Sequence, residues 1–84
     1  MITEPDGRDC VLEFAKLLHS SQQMLSESAF AKSSTIESHI IQLSLRKLAI
    51  SASNDQRAFD TTEIEQKRLA IEGIKIIQLD LARK

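Results

Sequence analysis

The sequence predicts an all-α fold: a three-helix bundle, or a hairpin of long helices, associating into a dimeric helical bundle. Three observations carry this. Apolar residues recur seven apart, as Val11, Leu18 and Leu25 and again as Ile36, Leu43 and Ile50, which is helical and not strand periodicity. The 84 residues hold two Gly and one Pro, too few for a turn-rich β fold. Ser, Asp and Asn stand where helices would need their free N–H and C=O groups satisfied.

Taken in order, residues 1–8 read as a flexible N-terminal arm punctuated by Pro5 and Gly7, leaving 9–84 as a single helical domain. The first helix is expected over about 9–30, opened by Asp6 or Asp9, with Phe14, Ala15 and Ala29 on the same arc as Val11, Leu18 and Leu25. The second is expected over 34–53. Ser34-Thr35-Ile36-Glu37 has the spacing of a capping box. The eleven-residue step from Leu25 to Ile36 would also keep a seam in phase along one unbroken rod. The serine-rich stretch 26–35 argues for the break instead.

Asn54-Asp55 signals the next turn. The third helix is expected over 60–82, with Asp60 as cap, Glu63 in box spacing, and Phe59 and Ile64 placed as a hydrophobic staple. Residues 73–81 alternate enough to be read as a strand, but nothing else in one chain would pair with it. Helix is preferred.

Composition narrows the function classes. Eleven basic against twelve acidic side chains give a net charge of −1, which removes the strong electrostatic case for polyanions. Trp and Tyr are absent and Phe numbers three, so base-stacking platforms are poorly supplied. Charge is uneven: residues 1–45 carry three bases and six acids, residues 46–84 eight bases and six acids. Neither a positively charged leader nor a long apolar run is present, so no membrane span is expected, and a cytoplasmic location is the default. Cys10 is alone, which excludes an intrachain disulfide.

No catalytic pattern emerges, and the expectation is a non-enzyme without cofactor, metal or small-molecule substrate. Two glycines 66 residues apart cannot form a phosphate loop. A zinc site would need both His19 and His39 together with Glu13 or Glu37, and reads better as ordinary helix-surface histidine. Ten serines lack any evident activating base.

The informative feature is that two helices are apolar on two sides. Ile41, Leu45 and Leu48 lie opposite the Ile36/Leu43/Ile50 seam, and Leu69, Ile76 and Leu79 oppose an arc of Ile64, Ala70, Ile71, Ile74, Ile77 and Leu81. Gly73, beside Ala70, suggests the close approach of another helix. The expected interface is therefore Ile41, Leu45, Leu48, Leu69, Gly73, Ile76 and Leu79, and the partner a second copy or another helical protein. This describes a small adaptor, regulator or chaperone-like subunit. The alternative is a transcription-linked regulator that contacts DNA, or a DNA-binding protein, through Arg46, Lys47, Lys67 and Arg68. Nucleic acid is the less expected partner.

Overall fold

A computed structural model describes residues 7–83, with side chains described from Cys10 to Arg83. The described residues form three helices: α1 (Gly7–Ser21), α2 (Glu27–Ala52) and α3 (Gln56–Ala82), with a single 3-10 turn at Gln22–Met24 between the first two. The fold is all-α, with no strand among the described residues. Gly73 to Leu81 is helical. The expected N-terminal arm falls mostly on residues 1–6, outside the described residues, while positions 7 and 8 belong to α1.

α3 is the central helix and packs against both others, while α1 and α2 touch only lightly. α2 and α3 run antiparallel: Ser26 meets Asp80, Ile40 meets Gln66 and Lys47 meets Glu63 along their length. Phe14 and Leu18 of α1, Ile40 of α2, and Ala70 and Ile77 of α3 make the buried core. Cys10, Val11, Leu17, Phe30, Ile36 and Leu81 are among the half-buried residues packed around it.

Gly73 earns its place at the centre of this core. The ring of Phe14 lies so close that a Cβ at position 73 would overlap its Cε1, Cδ1 and Cζ carbons. A glycine in mid-helix costs about 1 kcal/mol relative to alanine. Here that cost admits the largest buried side chain of α1 directly onto the α3 backbone. The close approach expected at Gly73 is real, but the approaching helix is α1 of the same chain.

Two helix boundaries differ from expectation. α1 stops at Ser21 and α2 starts at Glu27, so the break lies at 22–26, not at 31–33, and Ser34 sits inside α2. The reason is a long-range bond. The Ser26 backbone N–H donates to Asp80 Oδ2 at 2.9 Å and its hydroxyl donates to Oδ1 at 2.8 Å. The same hydroxyl accepts from the Ala29 N–H at 3.2 Å, capping α2. Asp80, 54 residues away, thus selects Ser26 over Ser34.

At the other end Asn54 takes φ 57, a left-handed conformation that Asn tolerates. Asp55 is the α3 cap, accepting from the Ala58 N–H at 3.1 Å. Asp60 is one turn inside α3, where it accepts from Gln56 Nε2 at 2.8 Å. The staple of Phe59 on Ile64 is not formed. Ile64 is exposed, and Phe59 instead lies beneath Lys47, whose Nζ is 5.0 Å from the ring centroid.

Candidate interaction surface

The second half of α2 carries a lysine on its inner side and large aliphatic side chains on its outer one. Along residues 41–48, Lys47, only 14% exposed, turns inward beside the half-buried Leu43. Its Nζ donates to Glu63 Oε1 and to Gln66 Oε1, both at 3.2 Å. Gln66 in turn donates from Nε2 to the Ile40 carbonyl at 2.9 Å and to Ser44 Oγ at 2.7 Å. A buried ammonium needs such partners, and here a carboxylate, an amide and an aromatic face supply them.

The outward side of the same segment is aliphatic: Ile41 is 56%, Leu45 62% and Leu48 71% exposed. With Ser38 and Ala52, also exposed, they follow a 3-4-3-4 spacing along one stripe. The stripe carries no charge. Between Ser38 and Asn54 the only charged residues are Arg46 and Lys47. Lys47 points at α3, and Arg46 lines a groove at the edge of the α2–α3 contact with His39, Gln42, Leu43, Glu65 and Leu69.

The other expected interface residues separate. Leu79 is 63% exposed. Leu69 is half-buried and packs against the core, Ile76 is half-buried, and Gly73 is covered by Phe14. Gly73 is closed off by Phe14 of α1, whereas Leu69 and Ile76 border grooves shared with α2, Leu69 beside His39, Leu43 and Arg46 and Ile76 beside Ala29 and Lys32. The arc on the other side of α3 also divides. Ala70 and Ile77 are buried and Ile74 and Leu81 half-buried, whereas Ile64 and Ile71 are exposed. Around those two exposed isoleucines stand the exposed cations Arg57, Arg68 and Lys75. Leu12 of α1, 55% exposed, borders a groove shared with Ala15, Ser44, Lys47 and Gln66.

The four residues proposed for nucleic acid differ in their surroundings. Lys47 is paired, Arg46 shares its groove with Glu65, Lys67 is half-buried and Arg68 is exposed on α3. The histidines are also apart in role. His19 Nε2 lies 3.2 Å from Glu37 Oε2 in an exposed contact, while His39 lines the Arg46 groove. Among the described residues no group of three or more His, Cys, Asp or Glu could hold a metal, and no helix is long and apolar enough to cross a membrane.

No family model matches the chain, and neither a curated protein nor a solved structure is significantly similar to it.

Proposed function

We propose that the chain is a cytoplasmic, non-enzymatic interaction module: a small adaptor, regulator or chaperone-like subunit that works by packing the outer face of α2 against another helix. One observation carries this reading. A helix that keeps an inward apolar seam at Ile36, Ile40, Leu43 and Ile50 and also turns three large aliphatic side chains outward carries more apolar surface than a lone bundle covers. Helix-on-helix docking reads such a face through anchors at i, i+4 and i+7, the spacing of Ile41, Leu45 and Leu48. The competing reading, contact with DNA through Arg46, Lys47, Lys67 and Arg68, has less to stand on, because Lys47 already has Glu63 for a counterion.

The test uses a photo-crosslinking residue at Leu45, compared with one at Thr61, also exposed, on α3, in cells of the source. Macromolecular adducts that form at position 45 and not at 61 are the expected result. Equal or absent labelling at the two positions would show that the aliphatic face docks nothing.

A further inference from the structure

We infer that the occupant of the α2 face is a second copy of the same chain, laid antiparallel across a two-fold axis that passes between Leu45 and Leu48. The inference rests on the docking role proposed for that face and names its partner. Three features of the stripe point to self-pairing. First, it is uncharged from Ser38 to Ala52, so an identical surface meets it without like-charge repulsion, whereas a charged partner would find nothing to pair with. Second, its residues match themselves in reverse. An isologous antiparallel contact pairs residues whose numbers share a constant sum. Around a centre between 45 and 48, Leu45 meets Leu48 and Leu48 meets Leu45, while Ile41 meets Ala52 at both ends. Large side chains thus face large ones at the centre, and at the rims the bulky isoleucine falls opposite the smallest residue of the stripe. Third, antiparallel packing opposes the two α2 dipoles, which parallel packing would align.

The size of the contact sets its strength. Four layers of one helix on another cover on the order of 400 Å² per copy, about half of the ~800 Å² per partner of a standard stable interface. The pair is therefore expected to be weak and reversible.

Sedimentation equilibrium across 5 µM to about 1 mM measures this directly. The mass should rise from 9.4 kDa toward twice that value. Leu45→Asp should hold it at the monomer value with an unchanged helical circular dichroism signal, because Leu45 is 62% exposed in the single chain. Disulfide trapping in a Cys10→Ser background then reads the geometry. A mixture of Ile41→Cys and Ala52→Cys chains should trap mixed dimers. Ile41→Cys alone should trap almost none, since antiparallel pairing sets residue 41 about 16 Å along the axis from its own copy. A monomer at every concentration overturns the inference, as does efficient trapping of Ile41→Cys with itself, which signals a parallel pair. If the chain stays monomeric while a crosslinker at Leu45 still takes up another protein, self-pairing fails and the docking role of the face survives. A monomer with no adduct at Leu45 removes both.

Discussion

α1 and α2 lean on the same central helix with opposite chemistry. The α1–α3 contact is apolar and close: Phe14 on Gly73, with Leu18, Ala70 and Ile77 around it. The α2–α3 contact is threaded with polar groups. Asp80 and Ser26 close one end, Ser33 and Gln66 lie along the middle, and Lys47 with Glu63 stands toward the other end. Apolar contact supplies most of the free energy but does not choose among registers, because one aliphatic surface fits another in several positions. Hydrogen-bonded pairs are costly to leave unmade, so a polar seam penalises every register but one. The difference between the seams therefore separates what holds the bundle together from what aligns it.

Substitutions sharpen this contrast. The largest effect is expected at Phe14→Ala, which empties the apolar seam and should cost about 3–5 kcal/mol in urea unfolding, enough to abolish cooperative folding in so small a chain. Next is Asp80→Ala, which removes both bonds to Ser26 and should cost about 2–3 kcal/mol, with Asp80→Asn costing less. Its signature is faster amide hydrogen exchange in the first turn of α2 ahead of the rest of the helix. Gly73→Ala comes third. Helix propensity favours it by about 1 kcal/mol, but overpacking against Phe14 costs about 1–3 kcal/mol, so a net loss is expected. The same change in a Phe14→Leu background should be neutral or stabilising, and a double-mutant cycle measures the coupling. The smallest effect has the opposite sign. Ser33 is fully buried and its hydroxyl has no hydrogen-bond partner, so Ser33→Ala should stabilise the protein by about 1 kcal/mol in the same unfolding assay. A loss there would mean that the α2–α3 seam depends on that hydroxyl.

How far the sequence shows all this varies by residue. The heptad set of Ile36, Leu43 and Ile50, with Ile40 beside it, marks the inward side of α2 in sequence and in structure, because its spacing depends on the helix alone. Asn54 likewise marks the turn that it forms. The joint between α1 and α2 is not legible locally. Ser26 and Ser34 are equivalent caps until Asp80 arrives from the far end of the chain. Asp55 prevails over Asp60 because α3 begins directly after the left-handed Asn54, leaving residues 56–59 to the helix. The two-sided apolar character of α2 and α3 is visible in composition, but its division between core and surface is not. Phe14 of α1 covers Gly73, α2 flanks Leu69 and Ile76, and Ile41, Leu45 and Leu48 stay outside, a division that depends on how the three helices meet and not on the spacing within any one of them. Lys47 facing inward had no local signal beyond Glu63 and Gln66 standing one turn apart on the facing helix.

The bond between Ser26 and Asp80 also has a consequence in time. A chain emerging from the ribosome completes α1 and all of α2 before the residue that seals their joint has been made. The first turn of α2 therefore waits, half-capped, until α3 is nearly finished and its last turn folds back. That separation of 54 residues makes the bond one of the long-range contacts of the fold, alongside that of Phe14 with Gly73. Although the joint lies in the first third of the sequence, it is sealed only by the last turn of α3.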